Sequence, residues 1–301
     1  MKKILNVTED YHDMRIDRWV KKKIFNVPQS LIEKSLRQGK IKVNNLIVKS
    51  SYKLKYKDKI YLYNFNPETT FLNKKKYIPT KKDIYSSESF IIENNENFVV
   101  INKPPGLPVQ GGTKSNKNLV DNLSNSEVFK NSKPYIVHRI DKDTSGILII
   151  AKTRKFAQLL TSLFRIRKIY KTYLAICYGS LEKNSGELIN DLTRYEGKRK
   201  IIENAKTIYH VIDKNNYCSL ISLNPITGRK HQIRKQLSMI GHPVLGDNKY
   251  NFKTKGKELM LHAYAIKFMI NDIKYNYKVK YPDYFQKVMN KKRLRFTQKN
   301  N

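Results

Sequence analysis

Apolar positions along this chain recur at two periods, and the switches between them mark out its elements. Ile16, Trp19, Val20 and Ile24 fall at helical spacing between Arg15 and Phe25, and Leu31, Ile32, Ser35 and Leu36 repeat the pattern across Ser30 to Gln38. Asn26-Val27-Pro28 interrupts the two runs, and Gly39 stands where a helix would be capped. The period then drops to two. Ile41-Lys42-Val43, Asn44-Asn45 and Leu46-Ile47-Val48 predict a hairpin with a tight Asn-Asn turn, and Lys59 to Tyr63 predicts a last strand. Two short helices and a small sheet thus make one unit over residues 14–63.

Residues 64–89 break the pattern with Pro67, Lys74-Lys75-Lys76, Pro79 and Ser86-Ser87-Glu88-Ser89, the composition of a linker. A larger unit over residues 90–290 follows. Phe90-Ile91-Ile92 and Phe98-Val99-Val100-Ile101 predict strands, and Asn102-Lys103-Pro104-Pro105-Gly106-Leu107 is a turn stiffened by two prolines and released by glycine. Tyr135-Ile136-Val137 and Ile147-Leu148-Ile149-Ile150-Ala151 are strand-like, Thr153 can cap a helix to Ile166, and Ile169 to Ile176 alternates as a strand does. Pro225 and Gly228 point to a strand-to-helix turn. The helix is expected from Arg229 to Ile240, closed by Gly241, with Ile233, Leu237 and Ile240 towards the core. Residues 291–301 read as a frayed basic tail able to touch an RNA backbone.

Composition adds the partner. With 60 basic against 25 acidic residues the formal charge is +35, which favours a polyanion. Abundant Lys, Asn, Ile and Tyr also carry the bias of an AT-rich genome, so arginine discriminates better. The 13 arginines skip the whole stretch between Arg37 and Arg139, then cluster at Arg139 to Arg199 and at Arg229 and Arg234. A planar guanidinium grips phosphate or carboxylate in a fork, where lysine acts as a point charge. Residues 1–63 hold 16 basic and 6 acidic side chains, a net +10. Arg15, Arg18, Arg37, Lys40 and Lys42 are its candidate RNA contacts. Cys177 and Cys218 lack metal or redox spacing and read as buried thiols of a reducing compartment. No apolar run reaches transmembrane length and no leader pattern opens the chain, so the cytoplasm is expected and a membrane partner is not.

Chemistry concentrates in His138-Arg139-Ile140-Asp141-Lys142-Asp143-Thr144-Ser145-Gly146, where two acids, two bases, a histidine and two hydroxyls sit between apolar strands. The segment resembles the H-R-L-D-x-x-T-S-G signature of the RluA-type pseudouridine synthases, with Ile140 for the usual Leu. Asn102-Lys103-Pro104-Pro105-Gly106 resembles that family's N-K-P-x-G turn, and Lys171-Thr172-Tyr173-Leu174-Ala175 its K-x-Y-x-A strand. Thr227-Gly228-Arg229-Lys230-His231-Gln232-Ile233-Arg234 with Gly241-His242-Pro243-Val244-Leu245-Gly246-Asp247 resembles its arginine motif. Arg15-Ile16-Asp17, Leu31-Ile32 and Ile41-Lys42-Val43-Asn44 resemble an S4 RNA-binding domain. Gln236 departs from the usual His and is expected to tune the helix surface without loss of activity.

The resemblance implies an α+β protein, with an S4-like domain ahead of a catalytic domain whose bent mixed sheet is flanked by helices. It implies isomerisation of uridine to pseudouridine within RNA. Ribosomal RNA suits an S4-bearing chain better than tRNA, and Gly111-Gly112-Thr113 looks most like the large-subunit branch, the synthase C type. Asp141 would act on the ribose, at C1′ or through C2′. Tyr173 would hold the base and assist the final proton loss, and Arg234 would pair with Asp141 as a bidentate fork. His138, Arg139, Thr144, Arg229, His231 and Gln232 are candidates for contact with the substrate, with Arg139 placed to fill the space a flipped base leaves. Thr144 and Ser145 read as supports of the turn, not nucleophiles, and Asp143 as a surface charge. No cofactor or metal is expected: the histidines lack ligand spacing, and a P-loop reading of Gly106 to Thr113 puts Gly112 where its lysine belongs. Two rivals stay open, a non-catalytic RNA-binding or ribosome-assembly protein and a carboxylate glycosidase.

Overall fold

The computed structural model describes residues 2–23, 28–64, 77–111, 117–196, 199–251 and 258–296. Asn26-Val27, Lys74-Lys75-Lys76, Gly112-Thr113 and the last five residues lie outside them. The chain divides into two compact units, residues 1–76 and 77–301.

In the first unit β1 (Lys2–Asn6), α1 (Ile16–Lys23), α2 (Gln29–Arg37), β2 (Ile41–Val43) and β3 (Lys59–Tyr63) form an antiparallel sheet of order β1-β3-β2 with two helices. Ile16, Trp19 and Val20 of α1 and Ile32 and Leu36 of α2 are buried with Ile41, Val43, Ile60 and Leu62 of the sheet. The helical stripe read from sequence is therefore the core face. Asn44 and Asn45 make the expected turn at φ 48° and 65°. Leu46 to Val48 does not continue as a strand, however. Beyond a single bridge from Val43 to Leu46, β2 pairs with β3, and Leu46 and Ile47 stay 68% and 61% exposed. Ile60 and Leu62 offer a buried face, so the longer-range pairing prevails.

The second unit comprises α3 (Lys81–Glu88), β4 (Ile91–Asn94), β5 (Phe98–Lys103), α4 (Leu119–Ser124), β6 (Tyr135–Ile136), β7 (Ser145–Ala151), α5 (Arg154–Arg165), β8 (Tyr170–Tyr178), β9 (Ser185–Glu196), β10 (Arg199–Lys214), β11 (Cys218–Pro225), α6 (Gln232–Met239), β12 (Leu261–Ile270), β13 (Ile273–Lys278) and α7 (Asp283–Lys291). One sheet runs β4-β5-β7-β12-β8-β11-β10-β9, with β13 on β12 and β6 on β7. Only the β7–β12 pairing is parallel among the described strands, which makes the sheet mixed.

Three expectations change here. The segment read as linker contains α3, whose capping box joins Thr80 and Asp83, and the second unit already includes Tyr77. The tail is docked up to Phe296: Leu294 is buried and the backbone N–H of Arg295 donates to Asp213 at 2.6 Å. The arginine-motif helix begins at Gln232, three residues late, because His231 is held left-handed at φ 54°. Ile240 then falls beyond its end and is 38% exposed, while Ile233 and Leu237 are buried as expected. Cys177 and Cys218 are both buried and free. No helix among the described residues is long and apolar enough to cross a membrane.

Candidate active site

Four strands bring the motifs together. Tyr173 on β8 lies between Leu223 of β11 and Ala263 of β12, and His262 of β12 pairs with Ser145, where the aspartate loop enters β7. The loop must end in glycine. Gly146 has φ 109°, and a Cβ there would lie 2.2 Å from the Ala263 carbonyl oxygen. Lys103 fixes the loop from the other side. Fully buried, its ammonium donates to the carbonyls of Pro104, Leu107 and Lys142 at 2.7, 3.0 and 2.9 Å, clamping the proline turn onto the aspartate loop. Burial lowers its pKa to about 7, against the opposing pull of Asp143 and Asp141.

These elements enclose a cleft of about 840 Å³. Asp141 is the sole carboxylate among its lining residues, which also include Arg139, Lys142, Arg165, Arg167, Lys171, Arg229, Lys230 and Arg234. Asp143 is exposed and outside it. Arg234 Nη1 reaches Asp141 Oδ2 at 3.4 Å, and His231 Nε2 stands 3.8 Å from Asp141 Oδ1. The bidentate Arg234–Asp141 pair expected from sequence does not form. The fork of Arg234 goes to Asp247, Nε and Nη2 each donating at 2.7 Å to a side chain with no exposure. Asp247 accepts further from the backbone N–H groups of Lys249 and Tyr250. Only the remaining edge of the guanidinium turns to Asp141. Gly246 makes this possible, since a Cβ there would lie 1.8 Å from the Glu258 carbonyl oxygen.

Tyr250 braces the same node, its ring 5.3 Å from the Arg234 guanidinium and its hydroxyl 2.9 Å from His231 Nδ1. Desolvation lowers the His231 pKa despite Asp141 nearby, so the imidazole is a neutral neighbour of the carboxylate and not its counter-ion. Burial, with the charge of Asp141 added, pushes the Tyr173 phenol above its ordinary range and keeps it protonated.

Several candidate contacts turn inward. Gln232 accepts from Thr227 Oγ1 and the Arg229 N–H and donates to the Lys206 carbonyl and Thr207 Oγ1, which exhausts its amide. His138 Nε2 accepts the Ile149 N–H at 2.9 Å, its ring stacks on Phe164, and burial lowers its pKa to about 3. It is a neutral strut of the loop. Thr144 is buried and its N–H closes the turn on the Asp141 carbonyl. Arg229 pairs with Glu203 at 3.2 Å. Arg139 is exposed at the rim. Gln236 is not on the helix surface. It is fully buried, bonding Thr207, Leu188, Asn190 and Ala205 beneath the site. In the first unit Arg18, Arg37 and Lys40 are exposed, Lys42 lies over the Tyr63 ring, and Arg15 is tied to Asp17. Asp247, Tyr250, Lys103 and Lys171 were missed as site residues; the motif ending Gly246-Asp247 was the available signal. Among the described residues no three His, Cys, Asp or Glu side chains converge on a metal position.

Comparison with known proteins places this geometry. Residues 97–239 match the family described as RNA pseudouridylate synthase, and residues 14–60 the S4 domain. The chain is 35% identical to the ribosomal large subunit pseudouridine synthase C of Buchnera aphidicola subsp. Schizaphis graminum, over 88% of this chain and 89% of that one. It is likewise 35% identical to the protein of that name from Rickettsia conorii, over 83% and 87%. The solved structure of human RNA Pseudouridylate Synthase Domain Containing 4 superposes with a TM-score of 0.63 at 25% identity, over 71% of this chain and 98% of that one. The chain belongs to the RNA pseudouridylate synthases, as an isomerase with an S4 domain ahead of its synthase domain.

Proposed function

We propose that this enzyme converts uridines of large-subunit ribosomal RNA to pseudouridine, with Asp141 as the reacting carboxylate. The observation that carries the reading is a single carboxylate among eight basic side chains in the lining of the cleft. Eight basic side chains draw in a polyanion, and one acid remains to meet the ribose. The relatives named for large-subunit ribosomal RNA support that substrate.

The target uridine leaves its stack to enter the cleft, which costs a few kcal/mol and least where the RNA is irregular. Asp141 then attacks C1′ or removes the C2′ proton, and the N1–C1′ bond breaks with its electron pair left on uracil. The ring turns and C5 bonds to C1′, which expels the Asp141 carboxylate in the first route or returns the C2′ proton from it in the second. The proton then lost from C5 is balanced by one gained at N1. Arg234 holds the carboxylate through its free edge. Protonated Tyr173 packs the base, and a relay through its hydroxyl hands one proton on as it takes another. Asp141 ends as the free carboxylate it began as, so the sum is an isomerisation.

The test is chemical mapping of pseudouridine in unmodified large-subunit ribosomal RNA incubated with wild-type enzyme or Asp141→Asn. Wild type should modify discrete uridines, and the variant should be slower by roughly 10³-fold or more. Undiminished modification by the variant would remove Asp141 from the mechanism. A wild-type enzyme active on tRNA alone would overturn the substrate.

A further inference from the structure

We propose that Arg167 grips a backbone phosphate of the substrate RNA beside the target nucleotide, an inference that rests on reading the cleft as the RNA-isomerising site. Its support begins with how the cleft's arginines are employed. Arg234 gives its fork to Asp247, Arg229 pairs with Glu203, and Arg165 donates to Ser162 Oγ at 3.3 Å. Arg139 and Arg167 are left, exposed, with no protein partner for either guanidinium among the described residues. Arg139 belongs to the aspartate loop itself. Arg167 stands apart from it on the α5 side, with Arg165 and Lys171 as fellow lining residues, and Asp141 already has Arg234. A cation that no acid among the described residues claims, on the wall of a cleft that takes RNA, is matched by phosphate, whose oxygens suit the guanidinium fork.

The backbone makes the same residue testable. Helix α5 ends with the Arg167 N–H on the Phe164 carbonyl and the Lys168 N–H on the Leu163 carbonyl, which sets Arg167 left-handed at φ 60°. This termination favours glycine. Helices α2 and α6 end in the same way and do place glycine there, Gly39 at φ 68° and Gly241 at φ 82°. Helix α7 ends so at Arg293, φ 53°, which is not among the cleft residues. Arg293 is therefore an internal control: the same residue in the same strained cap, without the cleft.

The experiment uses the full chain and an unmodified transcript of large-subunit ribosomal RNA. Arg167→Gly should leave the thermal midpoint unchanged or raise it, because glycine relieves the cap. It should weaken RNA binding roughly tenfold, raise KM more than it lowers kcat, and flatten the salt dependence of log K by about 0.7–0.9. Arg167→Lys should recover the salt slope and part of the affinity. Arg293→Gly should shift the midpoint like Arg167→Gly and cost markedly less RNA affinity, since Arg293 is not among the cleft residues. Wild-type affinity and salt slope in Arg167→Gly, or equal loss in both glycine variants, would overturn the proposal. The reading it rests on fails differently: wild type would then form no pseudouridine on the transcript, whatever Arg167 does to binding.

Discussion

Each unit of this protein ties an arginine to a buried aspartate, and the two pairs serve different ends. In the small unit Arg15 spends both arms on Asp17, Nε at 3.1 Å and Nη2 at 2.6 Å. Asp17 also accepts from Gln29 and the Arg18 N–H, so it organises the start of α1 and its link to Gln29. The arginine of that pair is 44% exposed. In the large unit Arg234 and Asp247 are 7% and 0% exposed, and the pair leaves Nη1 over to reach Asp141. Sequence alone would give Arg15 to RNA and the Arg234 fork to Asp141, yet each is first a structural group. What separates the site from the strut is a donor left unspent.

Removing the buried aspartates should break the comparison most sharply. Asp247→Ala strands the Arg234 cation in a dry position, and stability should fall by about 3–5 kcal/mol in denaturant titration, with activity lost as Arg234 loosens. A smaller loss than that of Asp17→Ala would reverse the ranking of the two pairs. Asp17→Ala releases a cation that water can reach, and about 1–3 kcal/mol is expected, confined to the small unit, with kcat on RNA retained.

Acid should separate the units next. Burial lowers His138 to about 3 and His262 to about 4, so the folded large unit holds these rings neutral where the unfolded chain would protonate them near 6.5. The unfolded state binds more protons below 6.5, so the stabilisation is whole above that pH. It falls as pH drops towards 4 for His262 and 3 for His138, by up to about 2 kcal/mol each at pH 5. Asp17, held below the ordinary carboxylate range against the cost of its burial, gives the small unit nothing to lose until pH falls under about 3.8. Hydrogen exchange at pH 7 and 5 should show the large unit opening more readily and the small unit unmoved. Equal change in both would remove the histidines as the cause, and an undiminished slope in His262→Gln would remove His262. The smallest effect belongs to Arg15→Met. Its exposed arm faces solvent screening, so a loss smaller than that of Asp17→Ala is expected. A larger measured loss would make the two pairs alike after all.

The helices with strong apolar stripes were legible from spacing alone: α1, α2 and α5 lie where the pattern put them, within a residue or two. The start of α6 was not, because a side chain decides it. Gln232 reaches back to Thr227 and Arg229 and holds the turn that a helical reading would have wound up. The strand at Lys2–Asn6 was missed for a related reason. Its identity comes from pairing with Lys59–Tyr63, more than fifty residues away, and its own composition is that of any basic terminus.

Local spacing and motif spelling were enough for the sequence to determine the two units, the loop carrying Asp141, the tyrosine strand and the arginine motif, because each is a short-range pattern of residue types. Tertiary structure alone decided which group holds which. It gave the Arg234 fork to Asp247, saturated Gln232 and Gln236 inside the protein, turned His138 into a neutral strut, and left Arg139 and Arg167 in the cleft without a partner among the described residues. The physical reason is competition. A donor in a folded interior goes to the acceptor whose burial would otherwise cost most, and that order is set by three-dimensional desolvation, which no linear pattern records.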